Sequence, residues 1–114
     1  MMNKTEATAK GKEMVERLGA GWEARVWENL GWHAAAHKHN VAVYWHPRGN
    51  SYSTLVNSEA GSSGTGLAAW GQDPRKDYAD PRESVRAAVT AVNSYMARLE
   101  AAQYAAQQCV DHFE

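Results

Sequence analysis

The spacing of apolar residues divides the chain into three parts. Residues 6 to 18, opened by Thr5 and rich in Ala, Lys and Glu, place Met14, Val15 and Leu18 on one stripe, and Gly19 and Gly21 close it, which predicts a first helix. From Trp22 to Trp70 the pattern changes to short aromatic and β-branched runs broken by turn residues, as in an antiparallel meander. From Pro81 to about Phe113 the period is helical again. Asp80 is placed to cap this helix, Pro81 suits its first position, and Glu83 stands three residues after the cap.

Within the meander the clearest hairpin turns at His39-Asn40, where Asn tolerates the positive φ of a two-residue turn. That register sets Lys38 opposite Val41, Ala36 opposite Val43 and Ala34 opposite Trp45, with small residues facing large ones. The other face carries His33 opposite His46, Ala35 opposite Tyr44 and His37 opposite Ala42. Alternation therefore turns Trp45 toward the core and the histidines away from it, and a slip of one residue would reverse both. A strand near 23–28 joins the one starting at Trp32 through Glu28-Asn29-Leu30-Gly31, with Gly31 at a bulge. Pro47 to Asn50 turns the chain into Ser51–Asn57, where Tyr52, Thr54 and Val56 continue the inner face and Ser51, Ser53 and Leu55 the outer. Glu59 to Gly66 reads as a loop, Leu67 to Trp70 as a last short strand, and 71 to 80 as a charged linker in which Asp-Pro-Arg occurs twice.

The second helix carries Val85, Val89, Val92, Met96, Leu99, Gln103, Ala106, Val110 and Phe113 at alternating spacings of four and three, a heptad pattern. A helix of this length spans about 50 Å, whereas a seven-residue strand spans roughly 23 Å. The sheet cannot cover it, so the end beyond about Ala102 must meet the first helix, a second copy or water. The expected fold is one α+β domain over residues 1–114: an antiparallel meander of three to five strands, with an N-terminal and a long C-terminal helix packed on one face.

Composition sharpens the question of the core. Nine Val, five Leu, one Phe and no Ile stand against twenty Ala, so tryptophan and tyrosine are expected to supply the missing bulk. Four of the five tryptophans and four of the five histidines lie between Trp22 and His46. A formal net charge of -1 gives no basic excess for phosphate contacts. One cysteine, Cys109, excludes an internal disulfide and fits a reducing compartment. No apolar run approaches the ~18 residues of a membrane span, and the N-terminal residues lack the apolar stretch of a signal peptide. A cytoplasmic location is expected.

Candidate chemistry is sparse. His33 and His46, as cross-strand neighbours, would have Cβ atoms about 5 Å apart, but a zinc site wants three or four ligands and no carboxylate or cysteine is at hand. The Gly-Ser-Ser-Gly-Thr-Gly loop at 61–66 leads into Leu67-Ala68-Ala69-Trp70 and not into the helix N-terminus that a phosphate loop requires. Cys109 and His112 share a helical turn, an arrangement that a thiol packed in a seam explains. No catalytic residue, metal or cofactor is expected. The outer sheet face, with His33, His37, Tyr44, His46 and Ser53, suits recognition of a protein. The turn near Trp27 and the cation Arg48 are added as candidates. The same face could stack the bases of single-stranded nucleic acid, with Arg25 and Arg48 at the phosphates. A metal-dependent enzyme is a third, weaker reading. A histidine-rich surface would also make binding respond to pH between about 5.5 and 7.5.

The order of elements resembles the double-stranded-RNA-binding domain, which is α-β-β-β-α and grips phosphates with lysines at the start of its last helix. Here Asp80-Pro81-Arg82-Glu83-Ser84 stands at that place, so the likeness implies topology and not function. The segment Gly-Trp-Glu-Ala-Arg-Val-Trp-Glu-Asn-Leu-Gly-Trp-His (21–33) resembles small accessory proteins of phages and prophages. That resemblance implies an accessory protein that acts by binding a host or viral component. The residues themselves favour a non-enzymatic protein that binds another protein, with the heptad of the long helix ordering a homodimer.

Overall fold

The computed structural model of the chain describes residues 2–56 and 77–113. The order is α1 (Lys4–Leu18), β1 (Glu23–Glu28), β2 (Trp32–Lys38), β3 (Val41–His46), β4 (Ser51–Val56) and α2 (Pro81–Asp111). The strands form one antiparallel sheet in the order β1-β2-β3-β4, and both helices pack on one face of it. The domain is α+β. The strand expected at 67–70, the loop at 59–66 and the first part of the linker, 71–76, lie outside the described residues.

Local chemistry sets each boundary. Helix α1 starts earlier than expected because Asn3, and not Thr5, is its cap: Asn3 Oδ1 accepts from the Glu6 amide at 2.8 Å and Glu6 Oε1 accepts from the Asn3 amide at 3.3 Å, a reciprocal capping box. For α2 the cap is Asp80, whose carboxylate accepts from the Arg82 amide at 2.9 Å, with Pro81 in the first turn. The β1–β2 loop is Asn29-Leu30-Gly31, with positive φ at Leu30 (55°) and Gly31 (122°). At the β2–β3 turn the positive φ falls on His39 (54°) and not on Asn40.

The β2–β3 register agrees with the small-against-large pattern: Ala35 pairs with Tyr44, Ala36 with Val43, His37 with Ala42 and Lys38 with Val41. The ladder ends there, so His33 and His46 are not partners across it. Tyr78 extends the edge beyond β4 by exchanging two backbone hydrogen bonds with Tyr52, at 2.7 and 2.8 Å.

The core departs from the expected one. Its fully enclosed residues are Met14, Ala36, Val43 and Tyr52 in one cluster and Met2, Ala7 and Ala34 in a second. Trp22, Trp32 and Trp45 are half-buried and pack around these clusters instead of inside them. Alanine is the reason. With Ala34 and Ala36 on the sheet and Ala7 and Gly11 on α1, helix and sheet approach too closely for an indole between them. A Cβ on Gly11 would stand 3.1 Å from the Ala24 Cβ, tighter than ordinary van der Waals contact. Trp45 instead closes the edge, its Nε1 donating to Asn50 Oδ1 at 2.9 Å while the Lys10 ammonium sits 4.8 Å from its ring.

Helix α2 touches the sheet through Pro81, Ser84 and Ala88, with Val85 half-buried beside them. Val89, expected in the packed seam, is exposed. The contact contains a buried polar pair, Thr54 Oγ1 and Ser84 Oγ at 2.5 Å. Helix α1 meets the start of α2 and not its far end: Arg17 lies 3.4 Å from the Asp80 carboxylate, and Arg82 Nε donates to the Arg17 carbonyl. Every described residue from Met96 onward is exposed, so the bare segment begins about six residues before the expected Ala102.

Candidate binding surface

The face of the sheet turned away from the helices is built in rows. Strand pairing sets Arg25, Ala35, Tyr44 and Ser53 side by side, and next to them Glu23, His37, Ala42 and Leu55. Trp27, paired with His33, begins a third row. Because β1 pairs with β2 without a break through residues 23–28, Arg25 and Trp27 point the same way two positions apart. The turn region near Trp27 and the open face, which sequence spacing left as two candidates, are therefore one surface.

Its centre is a depression of about 180 Å³ lined by Arg25, Trp27, Ala35, His37, Ala42 and Tyr44. Two alanines of adjacent strands make the floor. Ala35 is only 2% exposed although neither α1 nor α2 lies on this face. The rings of Trp27 and Tyr44 stand at 89° to each other with centroids 6.2 Å apart, the edge-to-face geometry that fixes both. The other side of Trp27 stacks on His33 at 5.4 Å, and the Arg25 guanidinium lies 6.0 Å from the indole. His37 Nε2 faces the Glu23 carboxylate at 3.4 Å, while its Nδ1 is buried with no hydrogen-bond partner among the described residues.

The candidate residues separate into two groups. Trp27, Tyr44 and His37 line the depression, with His33 stacked behind Trp27. His46 and Ser53 bond each other at 2.7 Å, and Asp77 lies 3.8 Å from the same His46 nitrogen. Arg48 is exposed in the β3–β4 turn, away from the depression lining. His33 Nε2 is engaged by the Asn29 carbonyl at 2.7 Å, so the two imidazoles, His33 and His46, each serve a separate local bond. Among the described residues no three His, Cys, Asp or Glu side chains gather to hold a metal ion. Arg25, Ala42 and Glu23 were the understated members. The signal for them was positional: β1 must lie beside β2, which puts its odd-numbered residues on the histidine face.

The dimensions limit what the surface can hold. Cofactor and drug-sized sites run from about 300 to 1,000 Å³, so this depression, with the Arg25 donors in its lining, has room for little more than one side chain. Comparison with protein families, with curated proteins and with solved structures finds no significant match. Among the described residues no helix is long and apolar enough to cross a membrane.

Proposed function

We propose that this chain is a non-enzymatic recognition module that binds a protein partner through the open sheet face. The carrying observation is the perpendicular pair Trp27 and Tyr44 over an alanine floor, a rigid aromatic notch of single-side-chain size with Arg25 and His37 beside it. Aromatic and arginine side chains around a small, preformed hollow are the usual anchors of protein interfaces. An apolar or aromatic side chain of the partner would enter the notch, with an acceptor near Arg25. The likeness of the 21–33 segment to accessory proteins of phages and prophages makes a host or viral protein the first partner to seek.

A second reading, single-stranded nucleic acid stacked on Trp27 and Tyr44, draws support from the guanidinium of Arg25 over the indole. Affinity capture from lysate separates the two when run with and without nuclease and with the variant Trp27→Ala/Tyr44→Ala. A partner that survives nuclease, tolerates rising salt and is lost by the variant fits protein recognition. Capture abolished by nuclease and weakening steeply with salt would transfer the assignment to nucleic acid. Capture equal for the variant and the parent would reject the open face altogether.

A further inference from the structure

The half of α2 that leaves the sheet is the largest unexplained feature of the molecule. Residues 96–111 project for about 24 Å, giving extents of 67 × 28 × 23 Å and a radius of gyration of 17.6 Å, where a compact chain of this length has about 13 Å. The projection is not polar. Met96 is 48% exposed, Leu99 49%, Val110 53% and Phe113 75%. Only three charged residues, Arg98, Glu100 and Asp111, occur from Met96 to Phe113.

The position of this stripe around the helix decides what can cover it. At about 100° per residue, Ser84 and Ala88, which face the sheet, and Leu99, Ala106 and Phe113, which face nothing among the described residues, fall within about 60° of one another. The bare stripe is thus the continuation of the packed face past the end of the sheet. Its spacing of three and four is that of a two-helix seam. The positions flanking that seam, Tyr95, Glu100, Ala102, Gln107 and Cys109, carry one charge, so no like-charge pair would face across it.

We infer that the occupant is the same segment of a second copy, running antiparallel. A parallel, in-register pair is excluded by bulk: the sheet and α1 lie against residues 81–88 on the side of the helix that the seam continues, and two such bodies would have to share one space. Antiparallel alignment puts the bodies at opposite ends and overlaps only the bare halves. One register matches the side chains. Met96 faces the partner's Phe113, Leu99 faces the partner's Val110, and Gln103 faces the partner's Ala106, each pair occurring twice. Bulky residues then meet bulky ones, and the single polar seam residue lies against a small one near the dyad. There the two Gln103 amides come within reach of each other, and one polar seam pair fixes register. The overlap is short, about 27 Å, so the dimer is concentration-dependent. It leaves both open sheet faces free and does not rest on the assignment of those faces.

Sedimentation of the full chain from low micromolar to several hundred micromolar should show a mass rising from 12.6 kDa toward twice that value. Leu99→Glu, at a site with no role in the core, should hold the mass at the monomer value with an unchanged far-ultraviolet dichroism. Orientation is read by oxidative crosslinking in a Cys109→Ser background. Leu99→Cys/Val110→Cys together should link two chains, and either cysteine alone should not. A parent that stays monomeric throughout, as it would if residues 57–76 covered the stripe, overturns the inference. So does a dimer indifferent to Leu99→Glu, or efficient linking by Leu99→Cys alone.

Discussion

On the helix side of the sheet the enclosed positions are small or of middle size, Ala34, Ala36, Val43 and Thr54, and Tyr52 is the one large ring among them. On the other side, away from α1 and α2, Trp27 and Tyr44 rise over Ala35 and Ala42. A domain short of bulky aliphatics has put aromatic mass where the core does not need it. The covered face gains cohesion from close backbone approach, which alanine and glycine permit. The open face gains a shaped surface, which alanine alone could not provide. On the proposed function, one face serves stability and the other recognition, and each role can be broken separately.

The largest effect belongs to Tyr52. Its ring is 1% exposed, lies between α1 and the sheet, and has the Lys10 ammonium 5.2 Å away. Tyr52→Ala should cost about 3–5 kcal/mol, the range for emptying a buried aromatic site, read as a lower midpoint in urea. A loss below ~1 kcal/mol would mean that the close-packed face is not what holds the domain together.

Next comes the buried hydroxyl pair. Thr54→Val leaves the fully enclosed Ser84 Oγ without the partner it has at 2.5 Å, at about 1–3 kcal/mol for an unsatisfied buried group. Thr54→Val/Ser84→Ala removes both ends and should be more stable than Thr54→Val alone. Equal stability of the single and double variants would show that the orphaned Ser84 hydroxyl carries no penalty there.

How far the residues themselves disclosed this division depends on which signal is followed. Alternation was legible in β2 and β3, because pairing Ala36 with Val43 and Ala35 with Tyr44 satisfies both faces at once. The same alternation sent Trp45 toward the helices and His37 away. Volume was a partial guide. Trp22, Trp32 and Trp45 do pack their bulk against the core clusters, as expected, but from the margin, with a polar edge left for solvent or, at Trp45, for Asn50. The packing face of α2 was obscured in the same way. Its heptad of large residues is plain to read, whereas Ser84 and Ala88, the residues that touch the sheet, carry almost no hydropathy signal. The early stop of the β2–β3 ladder, which leaves His33 and His46 outside its pairs, has no marker in the residue pattern. The notch itself needed β1 in register, and that register rests on the three-residue turn at Asn29 to Gly31.

The smallest change in stability, and the one that most directly tests the division of labour, is expected at Trp27. Its indole is half-buried, stacked on His33 and edge-on to Tyr44, on the face turned away from α1 and α2. Such ring pairs contribute roughly 0.5–1.5 kcal/mol each beyond buried area, and part of that is returned because Tyr44 and His33 can relax into the space. Trp27→Ala should therefore lower stability by about 1 kcal/mol in urea, well short of Tyr52→Ala, while reducing affinity for the captured partner tenfold or more, as removal of an interface anchor does. The two measurements must diverge. If Trp27→Ala unfolds the chain as readily as Tyr52→Ala does, the aromatic notch is a second core. If it spares both stability and binding, the partner touches neither the notch nor its rim, and the exposed half of α2 becomes the surface to examine.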